Sequence, residues 1–209
     1  MRSRLYEASQ AYFRLCQRLP WSTSFAVCYV KGSGSDVFCQ KILEGHENVD
    51  LSRNIVFGSY GGWYCGWFQH FVYNLTYNRL YGRGTGPLTV AKKLFTDHFV
   101  HVPLICLPSY FFWQECLLVP LKHRGDVPFP RWDAALPRDV ATRWRSEALE
   151  VMLNYWTLWT PAHVLTFWLV PEPLRITWIA CVSGIWLVIM SFLTHRSLAV
   201  QEGALGVQE

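Results

Sequence analysis

The sequence predicts an all-α fold, a polytopic transmembrane bundle of four to five membrane helices with an amphipathic helix at its N-terminus. Hydrophobic residues make up 51% of the 209 residues and charged residues only 16%, against about 25% charged residues in soluble domains. Eleven residues are Trp, a side chain favoured where a membrane meets water. Four uncharged or nearly uncharged segments have the length needed to cross a bilayer, which is about 20 helical residues.

The N-terminal segment is basic and aromatic. Arg2, Arg4, Arg14 and Arg18 are accompanied by the single acid Glu7. Mitochondrial presequences have a similar composition, but no secretory hydrophobic region follows. We therefore interpret this segment as the first amphipathic helix of the protein itself.

The first membrane segment, residues 21–43, is apolar at its start but carries Lys31, Asp36 and Lys41. It can cross a membrane only if these groups face other helices. An ion pair of Asp36 within the protein is therefore one prediction, and the lining of a cation path is the alternative. The possible partners of such an ion pair are Lys31, Arg53 and Arg175.

The other membrane segments are more apolar. Their predicted bounds are residues 54–78, 98–121, 151–171 and 176–195. The segment 151–171 contains polar interruptions and fits an interfacial or tilted helix as well as a true span. Because no domain boundary is visible, residues 1–209 are predicted to form one integral membrane domain.

Three glycines in the second membrane segment recur every four residues: Gly58, Gly62 and Gly66. Such a row forms a flat face on a helix, so another backbone can approach closely. The row fits a pore-lining or dimer face, but packing within one chain is the interpretation we favour.

Polar residues within or beside the membrane segments are candidates for lining an aqueous path. Polar groups in a membrane are costly and normally face protein or water. Glu115 is the single formal charge in its segment and is either a gate or an inward-facing, hydrogen-bonded residue. The complete set of candidates is Asp36, Gln40, His70, Asp97 and Glu115.

Asp97, His98 and His101 lie at the start of the third membrane segment. Two His residues three positions apart can share a metal ion, but no further ligand is near in the sequence. An acid at a helix N-terminus explains the same residues through the helix dipole. We therefore predict no metal site.

The sequence lacks the motifs of common catalytic sites. It contains no GxSxG, HExxH or protein kinase signature. Its seven Cys residues form no CxxC pair and are interpreted as buried free thiols. We predict that the protein is not an enzyme and that it has neither catalytic residues nor a cofactor.

The segment 79–93 is basic and contains no acid. Arg83, Lys92 and Lys93 are candidate contacts for anionic lipid headgroups, with a phospholipid such as cardiolipin as a candidate ligand. This segment and the basic N-terminus lie on the same side after two spans, which is the matrix side in a mitochondrion. The net charge of +4 is too small and too dispersed to predict nucleic acid binding.

An ordered set of short motifs runs through almost the whole chain. Near the C-terminus it comprises Trp156, Trp159, Pro161, Phe167, Pro171, Arg175 and Trp186. Upstream it comprises Tyr12, Pro20, Trp21, the pair Asp36-x-x-x-Gln40, the pair Asp50-x-x-Arg53, the pair Lys93-x-x-x-Asp97, and Pro103. Together these motifs resemble the Mpv-seventeen, or twenty-two-kilodalton peroxisomal membrane protein, family.

The resemblance implies a four-helix membrane protein without catalytic residues or cofactors, and some family members are thought to form non-selective pores. Several polar positions depart from the family pattern while the apolar framework is kept. These departures are Ser35, Trp67, His98, Thr160, His163 and Thr166. They favour a protein that keeps the fold rather than a channel activity.

Two functions follow as expectations. The first is an accessory subunit of a larger respiratory or ATP synthase assembly in the mitochondrial inner membrane. The alternative is a non-selective channel or small-solute passage protein, and the alternative location is the peroxisomal membrane. The expected partners are the lipid bilayer and other membrane-protein subunits, with no nucleic acid.

Overall fold

The computed structural model describes residues 2–122 and 129–184. Helix occupies 87% of this part of the chain, and no strand occurs in it. The all-α prediction is therefore confirmed. The helices are α1 (Arg2–Arg18), α2 (residues 20–43), α3 (residues 51–81), α4 (residues 87–122), α5 (Leu136–Trp168) and α6 (residues 175–184), with a 3₁₀ turn at Glu172–Leu174 before α6.

Helices α2, α3 and α4 are continuous but contain π-helical turns. These are Cys39–Leu43 in α2, Gly61–Phe68 and Phe71–Thr76 in α3, and Asp97–Cys106 and Gln114–Leu118 in α4. Such turns are rare in proteins, and those that occur often lie at functional sites. Here Gly61–Phe68 lies against another helix, and Asp97–Cys106 carries buried polar residues.

Pro103 lies inside the longest of these turns. Leu107 donates its backbone N–H to the carbonyl of Val102, so the next carbonyl, that of Pro103, faces Pro108, which has no N–H. The indole Nε1–H of Trp144 on α5 donates to this carbonyl at 2.7 Å. A hydrogen bond from α5 thus satisfies an acceptor that the α4 backbone leaves open.

Short turns with specific side chains separate the helices. Asp50 accepts hydrogen bonds from two backbone N–H groups in the first turn of α3, at 3.0 and 3.2 Å, as an N-cap does. Gly82, with a φ of 81°, ends α3 in a conformation that favours glycine. Pro87 then begins α4, a position that suits its fixed φ.

The helices pack antiparallel in chain order. Helix α2 lies along α3, and α3 is joined to α4 by Tyr77 with Asp97 and by Trp113 with Val56. Helix α5 lies along α4, from the pair of Arg143 with Glu115 to the hydrogen bond between His98 and Thr160. Helix α6 returns against α1 and α3 through Tyr12 with Thr177 and through Arg175 with Tyr73.

This packing gives the bundle two ends. The first, which we call the N-terminal end, brings together residues 16–21, 82–86 and 169–175. The second, which we call the opposite end, contains residues 44–50 and 129–135. Both basic segments found in the sequence therefore lie at the N-terminal end.

The core consists of apolar and aromatic side chains. One cluster joins Tyr73, Tyr77, Phe167 and Ile176 from three helices, and a second lies around Phe111, between α4 and α5. The ring of Phe167 contacts those of Tyr73 and Tyr77, with centroids 5.4 and 5.8 Å apart. The contact with Tyr73 is edge to face and the contact with Tyr77 is tilted. Aromatic contacts of this kind stabilise the core beyond simple burial.

Polar groups are buried and large apolar groups are exposed. Gln40, Lys93 and Asp97 are each 0% exposed, whereas Phe95 and Leu104 are each 61% exposed. Soluble proteins seldom bury charged residues completely and seldom expose extensive apolar surface. The distribution therefore resembles that of a protein surrounded by lipid.

One helix of the described part, Pro87–Leu121, is long and apolar enough to cross a membrane, with a mean hydropathy of 1.4. The prediction of four to five membrane helices stays a prediction. Helices α2 and α3 nevertheless match the predicted segments 21–43 and 54–78 within three residues. The end of the predicted segment 176–195 lies outside the described residues.

Two helices extend beyond the predicted membrane segments. The helix that contains the third segment, residues 98–121, begins at Pro87, because Gly86 and Pro87 form a helix start. Most of the predicted segment 151–171 forms the second half of the long helix α5, which begins at Leu136 and ends at Trp168.

Candidate functional site in the polar interior

Asp97 on α4 is completely buried and is the centre of a hydrogen-bonded group that we call the Asp97 cluster: Tyr77, Asp97, His101, Tyr155 and His163. Its Oδ1 accepts from the hydroxyl of Tyr77 at 3.2 Å and lies 2.9 Å from His101 Nδ1. Its Oδ2 accepts from the hydroxyl of Tyr155 at 3.0 Å and lies 3.3 Å from His163 Nε2. Three helices therefore meet at this single carboxylate.

The local sequence explains this geometry. Asp97 and His101 lie one turn apart on α4, and Tyr155 and His163 lie about two turns apart on α5. An ionised carboxylate offers about four acceptor positions, and the cluster supplies four partners. The carboxylate is thus fully engaged with protein groups.

Of the residues considered for a metal site, His101 faces Asp97, whereas His98 Nε2 lies 3.0 Å from the hydroxyl of Thr160. No group of three His, Cys, Asp or Glu residues in the part of the chain that the structure describes could hold a metal ion. Tyr155 and His163 were missed as partners of Asp97. Their spacing along one helix face was a signal, but it did not identify the facing helix.

Asp36 forms an ion pair with Arg53, whose Nε lies 2.9 Å from Oδ1. Gln40 donates to Asp36 Oδ2 at 2.7 Å and accepts from the backbone N–H of Asp50 at 2.6 Å. Arg53 also donates to both carboxylate oxygens of Glu44, at 2.7 and 2.8 Å. The favoured interpretation of Asp36 as part of a structural ion pair is therefore what the geometry shows, with Arg53 as the partner.

Replacing Arg53 by Met is expected to lower the free energy of unfolding by about 2 kcal/mol, because it leaves the buried Asp36 carboxylate without a counter-charge. The value is below that of a fully buried pair because the Arg53 side chain is 27% exposed. Thermal unfolding in detergent measures the effect, with Arg145→Met as the matched control on an exposed arginine. Equal unfolding temperatures for the two variants would contradict the role of Arg53.

Glu115 near the end of α4 lies between two arginines. Nη1 of Arg143 is 3.0 Å from Oε1, and Nη1 of Arg131 is 3.3 Å from Oε2. Arg131 also pairs with Asp133 and Asp139, and its hydrogen bonds hold the pKa of Asp133 below the ordinary value. Glu115 thus fastens residues 129–135 and α5 to α4, which fits the inward-facing interpretation rather than a gate.

Two cations, Lys93 and Arg175, are buried beside the Phe167 ring, 5.9 and 5.7 Å from its centroid. Lys93 Nζ donates to Asn78 Oδ1 at 2.9 Å, and Arg175 Nη1 donates to Asn74 Oδ1 at 3.3 Å. Neither forms an ion pair with a carboxylate of the described residues. Cation–π attraction, amide oxygens and the electrostatic interaction with Glu172 stabilise these cations instead.

The predicted lipid contacts divide into two kinds. Lys93 is buried in the interior, and the prediction that it contacts lipid headgroups is therefore wrong. Helix α4 begins at Pro87, and on this helix the Lys93 side chain lies towards Asn78. Arg83 and Lys92 are exposed at the N-terminal end. Arg79, which the sequence reasoning did not select, is exposed beside Arg83.

The C-terminal motif residues are largely structural in their contacts. Phe167 is at the centre of the core, and Trp159 stacks on His163 with ring centroids 5.2 Å apart. Trp156 contacts Phe99 at 5.3 Å. Of the remaining motif residues, Pro161 lies within α5, Pro171 precedes the 3₁₀ turn, Arg175 is one of the buried cations, and Trp186 lies outside the described residues.

The glycine row of α3 lies against α2 of the same chain, as the favoured interpretation holds. A Cβ atom on Gly66 would lie 2.6 Å from the backbone oxygen of Ser24. Gly58 and Gly62 instead face aromatic rings, those of Tyr29 and Phe25, at 2.9 and 2.7 Å. The row therefore packs two helices together within the monomer.

Two features of this contact were missed. Gly61 makes the closest approach, because a Cβ there would lie 2.3 Å from the backbone oxygen of Cys28. Helix α2 carries its own row of buried residues at every fourth position, namely Ser24, Cys28, Gly32 and Asp36. The four-residue spacing of small side chains was a signal that would have predicted this face.

The predicted pore-lining residues fall into separate groups. His70 Nδ1 lies 3.1 Å from the Ser24 hydroxyl and 3.2 Å from Asn74 Nδ2, and it shares no partner with Asp36, Asp97 or Glu115 in the described part. Each group makes contacts within the chain, although Nδ1 of His163 in the Asp97 cluster is buried without a hydrogen-bond partner. The arrangement joins neighbouring helices, for example α2 to α3 through Ser24 and His70.

The comparison with protein families gives one finding. Residues 135–191 match the model of the family described as the Mpv17 / PMP22 family. The matched stretch includes α5 and the C-terminal motif residues. No curated protein and no solved structure matches the chain.

Proposed function

The chain belongs to the Mpv17 / PMP22 family, and from this premise we propose that it is an integral protein of the mitochondrial inner membrane. The family includes membrane proteins of the peroxisome and the mitochondrion. In this proposal the chain is a structural accessory subunit of a larger membrane assembly, of the respiratory or ATP synthase type. It has no catalytic activity and no cofactor.

The observation that carries the membrane proposal is the combination of a polar interior with an apolar exterior. Exposed side chains such as Trp63, Phe71, Phe95 and Leu104 occupy the outer faces of α3 and α4. Lipid tails solvate such surfaces without the cost that water imposes. In the proposal α2, α3, α4 and α5 each cross the membrane alongside one another.

The charge distribution supports the mitochondrial location. The basic α1 and the basic segment 79–93 lie at the same end of the bundle. The positive-inside rule assigns such an end to the matrix side of the inner membrane. The opposite end, with residues 44–50 and 129–135, then faces the intermembrane space.

The contacts that buried polar residues make within the chain support a scaffold rather than a pore. Asp36 is paired with Arg53, Asp97 has four partners within the chain, and Glu115 is held by two arginines. A water-filled path requires polar groups that are free to contact water or ions. These side chains instead contact residues of neighbouring helices and hold those helices together.

An aromatic face on α2 and α3 supports the subunit role. Trp21, Trp63 and Trp67 are partly exposed, and the Trp63–Trp67 and Trp21–Trp67 rings meet edge to face at 5.1 and 5.5 Å. Trp side chains that are already ordered lose little entropy on binding and are enriched at interfaces. Trp67 is also a departure from the family pattern.

The proposal is tested by native gel electrophoresis of the tagged chain, extracted from mitochondria with a mild detergent. We expect migration in an assembly far larger than the 24.3 kDa chain, and we expect Trp63→Ala with Trp67→Ala to release the chain from it. Phe95→Ala, which removes an exposed ring on α4, serves as the matched control and is expected to remain assembled.

Migration of the unmodified chain as a small monomer would contradict the subunit role. Single-channel recording addresses the alternative, since the scaffold predicts no conductance above that of a protein-free bilayer. A conductance that changes in Asp36→Asn would support the channel instead.

A further inference from the structure

A cationic groove runs along the last turns of α3 at the N-terminal end of the bundle. Its volume is about 450 Å³. It is lined by Phe71, Asn74, Leu75, Thr76, Asn78, Arg79, Leu80 and Arg83. Asn74, Leu75 and Arg83 also line an adjoining groove of about 420 Å³ that reaches Trp21 and His70.

The floor of the cationic groove is backed by the two buried cations. The side-chain oxygens of Asn74 and Asn78 accept from Arg175 and Lys93, so these amide oxygens are turned towards the interior. Lys93 is 0% and Arg175 is 2% exposed. Glu172 interacts electrostatically with both cations, and because burial of a cation is costly, an anion in the groove would stabilise them further.

Charges on the groove's rim have the same sign. Arg79 is exposed and forms no ion pair with the described residues. Arg83 lies 3.7 Å from Glu172 in a loose pair, and its side chain is 81% exposed. Two arginines therefore line the groove and two buried cations lie behind its asparagines, with the carboxylate of Glu172 beside them. The site is complementary to a negatively charged group.

Apolar side chains determine which kind of anion fits. Phe71 is 48%, Leu75 is 46% and Leu80 is 61% exposed along the same groove. At about 1.5 Å per residue, Phe71 lies roughly 18 Å from Arg83 along α3. A free inorganic anion would use the arginines but leave this apolar side uncovered.

We propose that the cationic groove binds an anionic phospholipid, with its phosphate between Arg79 and Arg83 and its acyl chains along Leu75 and Phe71. Arginine presents several donors to phosphate oxygens in a fixed fork. The buried Lys93 and Arg175 add a positive field behind the phosphate. This inference requires the membrane location of the proposed function but not the subunit role.

Native mass spectrometry of the full chain in detergent micelles tests the inference, with phosphatidylglycerol and phosphatidylcholine offered in equal amounts. We expect preferential retention of phosphatidylglycerol. The double variant Arg79→Gln with Arg83→Gln is expected to lose this binding by about tenfold or more. The matched control, Arg4→Gln with Arg145→Gln, removes two exposed arginines elsewhere and is expected to bind as before.

Circular dichroism establishes that each variant is folded, and a second pair, Phe71→Ser with Leu75→Ser, tests the acyl-chain contacts. Equal retention of the two lipids, or unchanged binding by the Arg79 and Arg83 variant, would overturn the inference. Displacement of the lipid by inorganic phosphate, with no effect of the Phe71 and Leu75 variant, would also overturn it by identifying a site for a free anion. None of these results bears on the native gel experiment, so the two proposals fail separately.

Discussion

Replacement of Asp97 by Asn is expected to lower the free energy of unfolding by about 4 kcal/mol. The Asp97 carboxylate is 0% exposed and receives four contacts from groups on α3, α4 and α5. An amide of the same shape has a single acceptor oxygen, and its NH₂ group cannot accept from a hydroxyl. At least one donor of the cluster therefore loses its partner in a region that excludes water.

Thermal unfolding of the purified chain in detergent measures this effect, with Glu150→Gln as the matched control. Glu150 is an exposed carboxylate on α5, so its replacement is expected to leave the unfolding temperature unchanged. Equal stability of Asp97→Asn and the unmodified chain would mean that the Asp97 cluster does not hold the helices together.

Replacement of Gly61 by Ala is expected to lower the free energy of unfolding by about 3 kcal/mol. The added Cβ would lie 2.3 Å from the backbone oxygen of Cys28, and a backbone atom within a helix cannot turn aside as a side-chain end can. Helices α2 and α3 would have to separate along the face that carries Ser24, Cys28 and Gly32.

Gly34→Ala is the matched control, because Gly34 lies on the same helix pair and an added Cβ meets nothing within 4 Å. This change is expected to raise stability by up to about 1 kcal/mol, since Ala favours a helix more than Gly does. Similar unfolding temperatures for the Gly61 and Gly34 variants would contradict the close approach of α2 to α3.

Helix positions were predictable because they depend on local sequence. The uncharged run at 54–78 and the acid at position 36 were sufficient to predict α3 and an ion pair within the protein. The sequence did not show that Arg53, rather than Lys31 or Arg175, is the ion-pair partner of Asp36, because the partner depends on which helix packs against α2. The packing of α2 against α3 is encoded in rows of small residues on both helices. The sequence analysis identified the glycine row on α3 but not the row on α2.

The polar interior was less predictable because its members are distant in the sequence. His163 reaches Asp97 from α5, and Lys93 reaches Phe167 and Asn78. Lys93 belongs to a basic segment without an acid, and the sequence therefore predicts a contact with anionic lipid headgroups. Its burial follows from the start of α4 at Pro87, which sets the face on which position 93 lies.

In the proposed topology, α2 to α5 cross the membrane side by side with both basic segments on one side. Side-specific protease cleavage at a short recognition sequence, inserted near Gly84 in one version and near Gly45 in another, tests it most directly in mitochondria and mitoplasts. With this topology, rupture of the outer membrane is expected to expose the site near Gly45 and to leave the site near Gly84 protected. Cleavage of both sites from the same side of the inner membrane would contradict it.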